Sequence, residues 1–104
     1  MRRGEIRWHA FAPPDKRRPV LLLTRDDVID RLNEVIVVPV TRTIRGISTE
    51  VALSQADGMP TVCTLNLDHI GIVLRSRLGG LVATLPEHRW SEVEKALLTA
   101  CGFD

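Results

Sequence analysis

Four β-branched residues in succession, Val35-Ile36-Val37-Val38, run into Pro39 and are followed by Val40 and by Thr41-Arg42-Thr43. No other stretch restricts the fold as tightly. Branching at Cβ favours an extended chain, and a run without polar alternation predicts a strand covered on both faces. Proline has no N–H to give to a ladder, so the strand is expected to be an edge or to be interrupted at Pro39. Two hydroxyls around a cation, directly past a rigid strand, are suited to holding a phosphate or another anion. Arg18, at the mouth of a neighbouring strand, is expected to supply the other half of that site.

The rest of the chain reads as short extended pieces around this one. Residues 4–11 alternate, with Ile6, Trp8 and Ala10 on one face and Glu5, Arg7 and His9 on the other, which predicts a first half-buried strand. Pro13-Pro14-Asp15-Lys16 predicts a polar loop. Residues 19–24 carry a continuous Val-Leu-Leu-Leu run and predict a second strand deep in the sheet. Thr24 as a cap, Asp26 and Asp27 near a helix start, and Val28, Ile29 and Leu32 on one face predict a short helix over 25–32. A fourth strand is expected over 48–53, then a turn at Asp57-Gly58-Met59-Pro60. A long fifth one is expected over 61–74, bent at Gly71, and a connector over 75–81. Thr84-Leu85-Pro86-Glu87 has capping-box spacing, Trp90, Val93, Leu97 and Cys101 form one apolar stripe, and Gly102 is a suitable stop. Five short strands and a terminal helix predict a mainly-β α+β domain shaped like a small barrel, one domain over residues 1–104.

Composition narrows the class of function. Aromatic residues are 4% of the chain against 44% hydrophobic, so the core must be aliphatic. No stretch approaches the roughly 20 apolar residues of a membrane span, and the N-terminus lacks the apolar segment of a signal peptide, so a cytoplasmic protein with no membrane partner is expected. Of 14 cations, 12 are arginine, whose forked guanidinium suits phosphate oxygens and slightly favours a nucleic-acid partner. Cys63 and Cys101 lie on different elements and are expected to be buried, reduced thiols. His9, His69 and His88 share no metal-ligand spacing, so no metal and no cofactor are expected; His9 and His88 read as surface or satisfied histidines. Neither a Gly-rich phosphate loop nor a dinucleotide fingerprint occurs. What remains is a constellation at strand ends: Arg18, Thr41, and Asn66 with Asp68, two polar residues set in a run of Leu, Ile and Val.

These residues carry a resemblance. Arg2-Arg3-Gly4-Glu5-Ile6-Arg7-Trp8, Arg18-Pro19-Val20, Val38-Pro39-Val40-Thr41, Glu50-Val51, Asn66-Leu67-Asp68-His69-Ile70 and Arg77-Leu78 follow one another, ahead of a C-terminal helix. In that order they resemble the MazF/PemK family of toxin endoribonucleases over essentially the whole chain. The resemblance implies an SH3-like β-barrel with a short internal helix and a C-terminal helix, working as a homodimer. It implies metal-independent, sequence-specific cleavage of single-stranded RNA, with Arg18 and Thr41 as catalytic residues and Asp68 as the base. Arg17, Arg42, Thr43, Asn66 and His69 are the expected RNA-binding residues. Such chemistry needs no protein nucleophile, because the ribose 2′-hydroxyl supplies one and cleavage leaves 2′,3′-cyclic phosphate and 5′-hydroxyl ends.

Three positions depart from the family pattern. The loop over 12–17 is short, Asn66 stands where some members have an arginine proposed as general acid, and Gly71 replaces a common arginine. The group protonating the 5′-oxygen is therefore open between Arg18, His69 and solvent. The same resemblance implies a MazE-like antitoxin with an acidic tail, for which Arg17, Arg18, Arg42 and Arg45 are targets. Two alternatives share the scaffold: a CcdB-like toxin that only binds protein, and a noncatalytic RNA-binding barrel. The ending Cys101-Gly102-Phe103-Asp104, which lacks the Trp-Gly-Ile of the former, counts against it. The Arg18/Thr41 pair favours the nuclease.

Overall fold

The computed structural model describes residues 1–11 and 16–104. Of the loop expected at residues 13–16, only Lys16 falls within them. Among the described residues seven antiparallel strands run β1 (Glu5–Ala10), β2 (Arg17–Leu22), β3 (Glu34–Thr41), β4 (Glu50–Leu53), β5 (Cys63–Asn66), β6 (Gly71–Leu74) and β7 (Leu78–Thr84), before a single α-helix, α1 (Trp90–Cys101). The spatial order is β4-β5-β3-β2-β1-β7, with β6 also on β3. The mainly-β α+β class is the one expected. The barrel is an open sheet, because β4 and β7 at its two ends do not pair.

β3 organises the sheet, and Pro39 shows how. One edge of β3 pairs with β2 over residues 37–39; the other pairs with β6 over residues 34–37 and with β5 from Val40 onward. The Ile36 carbonyl accepts the Leu23 N–H, and the Ile36 N–H donates to the Thr24 hydroxyl, so Ile36 faces the β2 side. Alternation then turns the Pro39 nitrogen to the opposite edge, into the gap where β6 has ended and β5 begins. No ladder bond is lost there, so the strand continues through the proline to Thr41.

Both faces are covered along β2 from Val20 to Leu22 and along β3 from Val37 onward, as the aliphatic runs predict, but not at the start of β3, where Ile36 is exposed. Val20, Leu22, Val35 and Val37 pack with Ile29 on one side. Leu21, Val38, Val40, Val51, Leu53 and Leu65 pack with Val93 and Ala96 of α1 on the other. Val20, Leu21 and Leu22 have no exposed surface at all.

Several expectations need correction. Residues 25–32 form successive hydrogen-bonded turns, not an α-helix. Ile29 alone anchors them in the core, too little buried surface to hold a helix of that length. The segment over 61–74 is two strands, because Asn66 caps a 3-10 turn at Leu67–His69 that moves the chain from β5's position on β3 to β6's. The connector over 75–81 is mostly β7, which pairs with β1. The box at residues 84–87 does not form, since Thr84 ends β7 and a 3-10 turn leads into α1 without a side-chain cap. A capping box does form at Ser54 and Asp57. Cys63 is buried but Cys101 is exposed, on the last turn of α1. His9 is neither a surface residue nor a satisfied one. It is 7% exposed, edge-on to Phe11 with ring centroids 4.6 Å apart, and its Nδ1 has no hydrogen-bond partner among the described residues. No helix among the described residues is long and apolar enough to cross a membrane.

Candidate functional site

In the β2–β3 register Val20 lies opposite Pro39, and two positions further along that register brings Arg18 to Thr41. The two elements at the centre of the sheet thus deliver a cation and a hydroxyl to one place. Two clefts meet there. The larger, about 490 Å³, is lined by Trp8, Lys16, Arg17, Arg18, Thr41 and Arg42, with Met59, Pro60, Thr61 and Cys63 opposite. The smaller, about 220 Å³, is lined by Arg18, Pro39, Thr41, Thr43, Arg45, Asn66 and His69. Arg18, Thr41 and Thr43 belong to both.

Among the described residues, charge in this region has one sign: the linings hold Lys16, Arg17, Arg18, Arg42 and Arg45 and no Asp or Glu. Among the described residues no carboxylate pairs with Arg18. Its guanidinium is exposed on the cleft surface, which leaves its donors for a ligand. Thr41 is prepared in a complementary way. Its Oγ1 accepts the Thr43 N–H at 3.1 Å, so the loop occupies a lone pair and leaves the hydroxyl hydrogen to donate into the cleft.

The walls are fixed from behind. Glu50 Oε1 accepts the N–H groups of Arg45 and Gly46 at 3.0 and 2.9 Å, which holds the irregular loop that carries Arg45. Arg89 donates to Asp57 at 2.6 Å and to the Ala52 carbonyl at 2.6 Å, tying the start of α1 to the turn just before Met59 and Pro60. Burial alone raises the Asp57 carboxyl, but the bonds from Arg89 and from the Ser54 N–H outweigh it and hold the group below its ordinary 3.8. Burial, and then the Asp57 charge, push the Cys63 thiol up, so it is a neutral wall residue and not a nucleophile.

Of the expected site residues, Arg17, Arg18, Thr41, Arg42, Thr43, Asn66 and His69 all line one cleft or both. Asp68 does not. It lines neither cleft, and its Oδ2 accepts the Thr49 hydroxyl at 2.6 Å. The reason is local: once Asn66 accepts the Asp68 N–H, the 3-10 turn carries the Asp68 side chain toward β4 and the following His69 into the cleft. Residue patterns missed Trp8, read as a core position, although the Arg17 guanidinium lies 4.3 Å above its ring at the cleft wall. They also missed the wall from Met59 to Thr61, which reaches the site only through long-range packing. Among the described residues no group of three or more His, Cys, Asp or Glu is arranged to hold a metal ion.

Residues 2–100 match the family model described as PemK-like, MazF-like toxin of type II toxin-antitoxin system. A Mycobacterium tuberculosis protein named "Probable endoribonuclease MazF2" is 40% identical over 103 residues, covering 98% of this chain and 99% of that one. The structure of Mycobacterium tuberculosis toxin MazF-mt6 superposes with a TM-score of 0.88 at 30% identity, covering 96% of this chain and 98% of the other. A MazE-MazF structure from Deinococcus radiodurans superposes with a TM-score of 0.81 at 26% identity, covering 100% and 97%.

Proposed function

The chain belongs to the PemK-like, MazF-like toxin family of type II toxin-antitoxin systems, and from that membership we propose that it is a sequence-specific endoribonuclease acting on single-stranded RNA. The observation that carries this reading is the pair of adjoining clefts that meet at Arg18 and Thr41, lined among the described residues by five cations and no acid. A surface of one sign attracts a polyanion. A forked guanidinium beside a donating hydroxyl can grip a single phosphodiester.

The chemistry follows from what RNA brings. The 2′-oxygen forms a bond to phosphorus, the bond from phosphorus to the 5′-oxygen breaks, and the products are a 2′,3′-cyclic phosphate and a 5′-hydroxyl. One proton leaves the 2′-hydroxyl and one arrives at the 5′-oxygen, both exchanged with water. The protein's part is to align the two oxygens through phosphorus and offset charge on the non-bridging oxygens. Arg18 supplies the cation and Thr41 the neutral donor. Asp68, tied to Thr49, has a structural task instead: it holds the turn that presents His69. Arg17, Arg42, Thr43 and Arg45 extend the contact along the strand of RNA, and Asn66 supports His69 from behind.

The whole chain acts as one domain in the cytoplasm and as a homodimer, with Ile36, Ile72 and Leu74 facing a second copy. Its antitoxin is a MazE-like protein whose acidic segment covers the same cations. The test is to incubate the purified protein with end-labelled single-stranded RNA and a chelator, and to map the new ends. Expected are 5′-hydroxyl ends that persist with chelator and vanish in Arg18→Ala and Thr41→Ala. Intact RNA with folded, antitoxin-free protein would overturn the reading and turn attention to a toxin that only binds.

A further inference from the structure

The smaller cleft contains a side-chain relay that fixes more than position. Asn66 is the last residue of β5, 8% exposed, and its Oδ1 accepts the Asp68 N–H at 3.0 Å. An amide side chain has one accepting end and one donating end. With Oδ1 committed to the backbone, the end that faces the next ring must be Nδ2, and it lies 3.3 Å from His69 Nδ1. Nδ2 offers only hydrogens, so Nδ1 must accept, and in the neutral ring the hydrogen is then on Nε2. The relay is anchored further back, where Thr49 is 8% exposed. Its hydroxyl donates to Asp68 Oδ2 at 2.6 Å, and its carbonyl accepts the Leu67 N–H at 2.9 Å. Both sides of the turn are thus held to one residue of the neighbouring loop, and the amide has no freedom to rotate without abandoning a backbone N–H.

We propose that His69 is held as its Nε2–H tautomer and presents a neutral hydrogen-bond donor to a phosphodiester oxygen in the smaller cleft, with Asn66 as the positioning residue that sets it. The inference rests on the nucleic-acid reading of the cleft given above. With Nδ1 turned to Asn66, Nε2 is the nitrogen left for a ligand, on a wall shared with Arg18, Thr41, Thr43 and Arg45. A general base needs a lone pair where this tautomer carries a hydrogen. His69 therefore binds the phosphate and does not take the 2′-hydroxyl proton. The same logic accounts for an amide, and not a charged side chain, at Asn66.

The tautomer can be read directly from the two ring-nitrogen shifts of the protein labelled with ¹⁵N-histidine, at pH 8 and without RNA. The expected result for His69 is a protonated Nε2 and a bare Nδ1. Asn66→Asp keeps an acceptor for the Asp68 N–H but puts a second oxygen against Nδ1, so the neutral ring should switch its hydrogen to Nδ1. RNA cleavage in that variant should fall by about tenfold, the scale of one hydrogen bond. His69→Ala should lose a similar factor, and His69→Gln, which returns an N–H donor on an exposed side chain, should recover most of it. A hydrogen on Nδ1 in the wild-type ring, an unchanged tautomer in Asn66→Asp, or His69→Gln as weak as His69→Ala would each overturn the proposal. If wild-type protein shows the Nε2–H ring but neither binds nor cleaves RNA, the nucleic-acid reading has failed, and with it the role given to His69, while the relay stands.

Discussion

At the scale of single residues, Thr41 is the sharpest case. Its hydroxyl accepts from Thr43 and has one hydrogen left to give. Thr41→Val preserves shape and removes that hydrogen, so cleavage should fall by roughly tenfold to a thousandfold with the thermal transition little changed. A wild-type rate would make Thr41 only a cap for the loop. His9 makes a different prediction. Burial, and then the nearby Arg77 charge, hold its imidazole below its ordinary 6.5. As pH falls, the unfolded chain takes up this proton first, so stability present above 6.5 is lost on the way down through the lower folded value. Denaturant unfolding at about pH 7.5 and 5.5 should show the loss in wild type and a flatter profile in His9→Leu; equal slopes would remove His9 from the account. Alternation correctly put His9 opposite Trp8. That this second face is also covered, by Phe11, could not be read from it, because coverage depends on what packs from elsewhere.

At the scale of elements, legibility followed how local the cause was. The β3 run, the aliphatic β2 and the stripe of α1 are written in neighbouring residues, and all three formed. The turn at Asn66 was not legible: an Asn-x-Asp pattern inside an apolar run looks like one face of a strand, and only the bond from the Asp68 N–H makes it a turn. The attachment of α1 is also more particular than a stripe. Trp90 is half-buried, with the Arg3 guanidinium 3.9 Å above its ring and Gly4 against its edge, where an added Cβ would sit 3.1 Å away at a φ of +96°. Trp90→Ala should therefore destabilise by about 2–3 kcal/mol, at the low end for removing a large buried ring. A change within about 0.5 kcal/mol in chemical denaturation, the range of surface substitutions, would mean that α1 is held by Val93 and Ala96 alone.

For the whole molecule, the remaining exposed apolar surface bears on assembly. Ile36, Ile72 and Leu74 share one face of the β3–β6 pair and are 44%, 65% and 43% exposed, and among the described residues β6 pairs with no strand but β3. An apolar face next to an open strand edge suits a symmetric contact with a second copy. Sedimentation should find a dimer in wild type and a folded monomer in Ile72→Glu; a wild-type monomer at micromolar concentration would sink the homodimer. By itself the sequence determined the class of the fold, its aliphatic central strands and most of the residues that come to line the candidate clefts, because β-branching, apolar periodicity and side-chain chemistry are properties of a residue and its near neighbours. Only the tertiary structure decided that Pro39 falls in the gap between two partner strands, that Arg18 and Thr41 line the same clefts, that Asp68 turns away to Thr49 and that His69 lines the smaller cleft. Those outcomes depend on strand register and on hydrogen bonds between distant segments, which no local pattern encodes.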